Sequence, residues 1–312
     1  MAKNILIFEK IASDLVVTQD INNLVKLEEC AKEFLSEQNV EGSEVAYFNF
    51  AINYAKIGDY PNACKIIEIA MKKFPDSISL RALYLRVVTE IGDDTNAKEL
   101  CEEILQHINS LPKEYWSKQV FVYVIEYYRT LLKKETGEHV REIYRTNIDQ
   151  LLHDFRIHFP SSEDSYLIES ETYRKSNPSK EKMLLLSAVE KSSTCIWSAI
   201  RLAELYYERH EYKKALQYLS RYCMSVAYDD TNKSHEAYVY YLSAMCKSNQ
   251  ILKSNICWSL KKREVRVKDI YKEFELALKP QMLLSFSAKQ NAEKQICILE
   301  VLTGVKSGLS TQ

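Results

Sequence analysis

Gly58 and Gly92 stand 34 residues apart, and the residues around them recur in kind at the same interval. Numbered from one at Glu44, Tyr47, Phe50, Ala51 and Tyr54 fall at positions 4, 7, 8 and 11, one face of a first helix. Gly58 and Tyr60 occupy a turn at 15 and 17, Ala63, Ile67 and Ala70 stripe a second helix at 20, 24 and 27, and Pro75 closes the unit at 32. Adding 34 carries Phe50 to Tyr84, Tyr54 to Val88, Gly58 to Gly92 and Ala63 to Ala97, which sets a second unit from Ile78 to about Leu111 with Pro112 beyond it. A hairpin of this size cannot bury its apolar face alone, so a fixed period obliges like hairpins to stack. Small residues at Ala51, Ala63 and Ala70 let two helices approach closely, and the glycine supplies the left-handed residue at a helix end.

A second stretch keeps the same register. From Ile196, Leu202, Ala203, Tyr206, Tyr212, Ala215 and Leu219 take positions 7, 8, 11, 17, 20 and 24, with His210 in place of the turn glycine and no closing proline. One period earlier, from Ser162, Ile168, Leu185 and Ala188 take 7, 24 and 27, while Glu169 sits where a small residue is expected. The pattern resembles the tetratricopeptide repeat (TPR) at its diagnostic positions, except that Tyr47 stands where the usual Trp would be. That resemblance implies an all-α fold, a right-handed superhelical α-solenoid of antiparallel hairpins. Composition agrees: six Gly and six Pro in 312 residues leave too few turn formers for sandwiches, barrels or glycine-rich nucleotide folds.

The expected organisation runs from a capping hairpin over residues 1–40 (Ile5–Val17 with Ile21–Gln38) to two TPR units over 41–112. A longer hairpin follows over 113–161, with helices at Glu114–Lys134 and Glu138–Phe159 broken by Gly137. Further TPR-like units fill 162–260, the last of them degenerate (Ser234–Cys246 with Ile251–Lys262). Basic capping helices close the chain over 261–312 (Val267–Leu278 and Met282–Val305, split by Pro280).

The inventory of reactive groups excludes several classes. The six His show no H-E-x-x-H spacing, and the chain has no G-x-G-x-x-G, Walker A or G-x-S-x-G motif. Acidic pairs such as Glu28–Glu29, Asp93–Asp94 and Glu102–Glu103 read as solvated surface. The eight Cys stand singly, without a C-x-x-C pair, and read as reduced core thiols. No catalytic, metal-binding or cofactor-binding residue is therefore expected. The longest early apolar run, Ile5–Phe8, is too short for a signal or a membrane span, so a cytoplasmic protein is expected.

Lys and Arg number 42 against 43 Asp and Glu, yet residues 1–112 hold 11 basic and 18 acidic residues while 251–312 hold 11 and 6. An acidic front and a basic tail leave room for end-to-end homo-oligomers. Lys261, Lys268 and Lys272 share a helix face with Val265 as a basic patch, but Glu264, Asp269, Glu273 and Glu275 dilute it, and a nucleic-acid partner is not expected. The TPR resemblance places positions 2, 5, 9 and 12 of each first helix in a concave groove. Among them Phe48, Ile52, Arg86, Tyr166, Tyr173, Trp197, Glu204 and Tyr207 are the candidate partner contacts, since aromatic groups give large contact area at low entropy cost. The Lys and Asn of the chaperone-tail clamp are missing, their positions holding Phe48 with Ile52, Ala82 with Arg86, and Tyr166 with Ser170. The expected function is an adaptor or assembly subunit that binds another protein or peptide without chemistry of its own. A peptide-sensing solenoid acting on a separate effector, and nucleic-acid contact through the basic C-terminal helices, are the alternatives.

Overall fold

The computed structural model describes residues 44–110, 117–192, 195–225, 233–253, 259–279 and 284–309, with Glu29 alone before them. Among the described residues are thirteen helices and no strand, divided between a unit ending at Pro160 and a second beginning at Ser161. The hairpin expected over 1–40 lies outside the described residues.

In the first unit, α1 (Glu44–Lys56) pairs with α2 (Tyr60–Lys73), α3 (Ile78–Ile91) with α4 (Asp94–Ser110), and α5 (Lys118–Lys134) with α6 (Glu138–His158). The period is visible in the turns. Gly58 and Gly92 both adopt left-handed φ, 83° and 85°. The residue after each is an aspartate that caps the next helix: Asp59 Oδ1 accepts from the Asn62 amide and Asp93 Oδ1 from that of Asn96, each at 3.2 Å. Tyr47, Phe50, Ala51, Tyr54, Ala63, Ile67 and Ala70 are all buried, as are Val88 and Ala97 one period on. Tyr84 is only half-buried, its hydroxyl donating to Glu68.

The first helices also touch one another: α1 packs on α3, and α3 on α5. The third hairpin therefore continues the stack within this unit. Phe121 of α5 stacks on Phe155 of α6 with ring centroids 5.1 Å apart. The helix expected from Glu114 begins at Lys118, after Ser117 in extended backbone, and residues 111–116 lie outside the described ones.

In the second unit α7 (Asp164–Tyr173) pairs with α8 (Pro178–Lys191), and α9 (Ile196–Glu208) with α10 (Tyr212–Ser225). α11 (Lys233–Lys253) pairs with α12 (Leu260–Leu278), and α13 (Phe286–Thr303) packs on both. Leu185, Ala188, Leu202, Ala203, Tyr206, Tyr212, Ala215 and Leu219 are buried in the positions assigned by the register. His210 takes a left-handed φ of 62°, the conformation the glycines adopt elsewhere.

Two expectations for this unit are corrected. No break separates Cys246 from Ile251, because that stretch holds neither Gly nor Pro and the Asn249 side chain donates to the Met245 carbonyl at 2.9 Å, within the helix. The partner of α11 is accordingly not a helix over 251–262 but α12, which starts after Ser259, the hydroxyl that caps it. The last helix begins at Phe286, capped by Ser285, and not at Met282. No helix among the described residues is long and apolar enough to cross a membrane.

Candidate functional site

In the first unit the candidate residues lie on the adjacent helices α1 and α3. The helical period puts Val45, Phe48 and Ile52 along one face of α1. Val45 is 69% exposed, and Phe48 and Ile52 are half-buried. On α3, Ala82 is buried and Arg86 is half-buried, its guanidinium carbon 5.4 Å from the ring centroid of Tyr123 on α5. Other partly buried arginines of this unit have carboxylates: Arg81 has Glu103 at 3.7 Å, Arg129 has Glu126 at 2.6 Å, and Arg141 and Arg145 share Glu138 at 3.4 and 2.6 Å. Arg86 has none within ion-pair distance among the described residues, and Glu90, one turn on, is exposed without pairing to it.

In the second unit the candidates divide by burial. Tyr166 is buried, with the Lys191 ammonium 5.5 Å from its ring centroid. Tyr173 is half-buried; its hydroxyl accepts from Lys180 Nζ at 2.6 Å. The Tyr207 hydroxyl accepts from Asn249 Nδ2 at 3.3 Å, and burial, with Tyr241 and Tyr212 nearby, pushes its pKa up to about 12. Glu204 accepts from Arg201 Nη1 at 2.7 Å and from the Tyr238 hydroxyl at 2.8 Å. Arg201 Nε in turn donates to Glu181 Oε1 at 2.8 Å, and Glu181 is 1% exposed. Burial opposes the charge on Arg201, but its hydrogen bonds to Glu204 and Glu181 outweigh that and hold its pKa above the ordinary value. Trp197, at 46% exposure, presents the most open aromatic surface of the set.

The backbone of Trp197 is fixed from a distance. α9 begins after Cys195, which makes no side-chain cap, and its first amides are taken instead by Glu163 from one period earlier. Glu163 Oε1 accepts from Ile196 N at 3.0 Å and Trp197 N at 3.1 Å, while Oε2 accepts from Ser198 N at 2.9 Å. A carboxylate suits the positive end of a helix dipole.

Lys261, Lys268 and Lys272 are exposed on α12, but Lys268 pairs with Glu264 at 2.7 Å and Lys272 with Asp269 at 3.3 Å. Among the described residues no group of three or more His, Cys, Asp or Glu could hold a metal ion. Burial pushes the Cys101 and Cys246 thiols up to about 12, as suits inert core residues.

Sequence reasoning missed Tyr123, Arg201 and Glu163. Only Glu163 left a signal, an acidic residue one period ahead of a helix that lacks its own Ser, Thr or Asp cap.

Residues 36–136 match the family described as Suppressor of forked protein (Suf). No curated protein matches the chain. A crystal structure of a thermophilic TPR protein from Thermus thermophilus aligns at 18% identity and a TM-score of 0.44, covering 62% of this chain and 96% of that one.

Proposed function

We propose that this chain, a repeat protein of the tetratricopeptide type, is a protein-interaction module: it takes a peptide or helix of another protein on the face formed by its first helices, and it has no catalytic chemistry of its own. The observation that carries the reading is the side-by-side packing of first helices, α1 on α3 on α5 in one unit and α9 on α11 in the other. Such packing lines up their outward residues as one surface within each unit, wide enough for a segment that is extended or helical. Phe48 and Ile52 supply the apolar contact in the first unit, and Trp197 in the second. Tyr166, Tyr173, Glu204 and Tyr207 support that face by tying neighbouring helices together. The missing nucleotide, metal and nucleophile motifs support a binding role over an enzymatic one.

Paired replacement tests the reading. Phe48→Ala and Trp197→Ala together are expected to leave helicity by circular dichroism unchanged and to lower, at least about tenfold, the recovery of partners captured from the native host and quantified by mass spectrometry. Unchanged recovery with intact helicity would refute the assignment of this face.

A further inference from the structure

We propose that Arg86 is the anion receptor of the first unit's face: it takes the side-chain carboxylate of an Asp or Glu in the partner segment, about three residues from an apolar side chain seated on Phe48 and Ile52. This rests on the peptide-binding reading above and gives its ligand a chemistry.

A guanidinium carries five N–H donors and no acceptor, and it stays charged at all relevant pH. Arg86 is half-buried, so part of its hydration is already lost, yet no carboxylate of the described chain compensates for that loss. The nearby acids are accounted for. Glu126 is committed to Arg129 at 2.6 Å, and Glu90 stands exposed without pairing to Arg86. The Tyr123 ring attracts the cation and restricts the side chain, but it accepts none of the five donors as a carboxylate would. A positioned guanidinium with free donors fits a planar, bidentate oxyanion.

The spacing follows from the repeat. Arg86 and Ile52 hold the same position in successive units, 34 residues apart, on the packed helices α3 and α1. Packed helix axes lie about 8–10 Å apart. An extended segment rising about 3.3 Å per residue covers that distance in about three residues.

The test is selection from a random twelve-residue peptide library against the full chain, each peptide fused through its carboxyl end so that only side chains present carboxylates. The wild-type chain is expected to enrich peptides with Asp or Glu about three residues from an aromatic or large aliphatic residue. Arg86→Ala and Arg86→Gln are expected to lose the acidic preference and keep the apolar one. A synthetic peptide from the enriched set should bind Arg86→Ala about ten- to a hundredfold more weakly. Arg86→Lys should fall between, and the difference should shrink as salt is raised. Circular dichroism and thermal melts confirm that each variant is folded, and either neutral variant suffices for the comparison. Enriched peptides without an acidic residue, or an acidic preference that survives Arg86→Gln, would overturn the assignment of Arg86 and leave the peptide-binding reading standing. Failure to enrich any peptide would overturn that reading itself, and Arg86 with it.

Discussion

Replacing Glu163 by alanine removes one carboxylate and strands three backbone donors. The amides of Ile196, Trp197 and Ser198 lie 3.0, 3.1 and 2.9 Å from its oxygens. They belong to the first turn of α9, where no intrahelical acceptor exists. Cys195, at the cap position, makes no side-chain hydrogen bond that could take over. Loss of a helix cap costs about 0.5–2 kcal/mol, and loss of a carboxylate from the positive end of the dipole adds up to about 2 kcal/mol in a partly buried setting. Glu163 is buried, so the combined loss is expected at about 2–4 kcal/mol. Glu163→Gln keeps one acceptor oxygen but turns an amide toward the remaining donors, and should lose about half as much.

Urea unfolding of the full chain measures the total. Amide hydrogen exchange at residues 196–198 locates it, with exchange there rising at least about thirtyfold if the loss is local opening. A repair variant sharpens the test: Cys195→Asp in the Glu163→Ala background places a side-chain acceptor at the cap and should return about 1 kcal/mol. A loss below about 0.5 kcal/mol, or no recovery from Cys195→Asp, would refute capping as the role of Glu163. Because the Trp197 amide is one of the three, the same variant should also blur the position of that ring and weaken partner recovery.

Two further outcomes follow from the same geometry. Gly58→Ala and Gly92→Ala should each destabilise the chain by about 1–2 kcal/mol in thermal or urea melts, and by similar amounts, because both φ values are left-handed and an added Cβ at either site meets nothing within 4 Å. Arg201→Met should cost about 3–5 kcal/mol by leaving the buried Glu181 carboxylate unpaired; adding Glu181→Leu should recover most of that, and a double variant no better than the single would show that the pair is not the cause.

The fold was legible where each position has one physical job. Ala51, Ala63 and Ala70 must be small for the helices to approach, Gly58 and Gly92 must turn left-handed, and all of these sit as the spacing requires. His210 shows the limit of reading by residue type. It breaks the glycine rule in sequence, yet the backbone takes the left-handed turn regardless, with its ring nitrogen 3.0 Å from the Tyr212 hydroxyl. The end of α11 was misplaced because a polar run, Lys247–Gln250, looks like a linker, whereas the Asn249 side chain bonds back onto its own helix. The setting of Arg86 was hidden for a different reason. Its platform Tyr123 belongs to the third hairpin, which departs from the 34-residue register: Ser79 meets Ser117 at a separation of 38 and Asp94 meets Lys134 at 40. A period cannot point to a residue that has left it.

Within the second unit the period survives in polar contacts more clearly than in the core. The first repeat fills position 4 with the buried ring of Tyr47, whereas its counterpart from Ser162 holds only Ser165 there. Less aromatic surface is available to hold successive hairpins in register. Carboxylates do so instead: Glu163 reaches the amides at 196–198, and Glu204 receives the hydroxyl of Tyr238, 34 residues on. Each spans one repeat, and together they link the start of α7 to α9 and α9 to α11. Hydrogen bonds to charged groups are directional in a way that apolar contacts are not, so they fix the rotation and height of α9 as well as its proximity. Trp197 and Tyr207 lie on that helix, and the surface they offer is therefore set by residues one period before and one period after it.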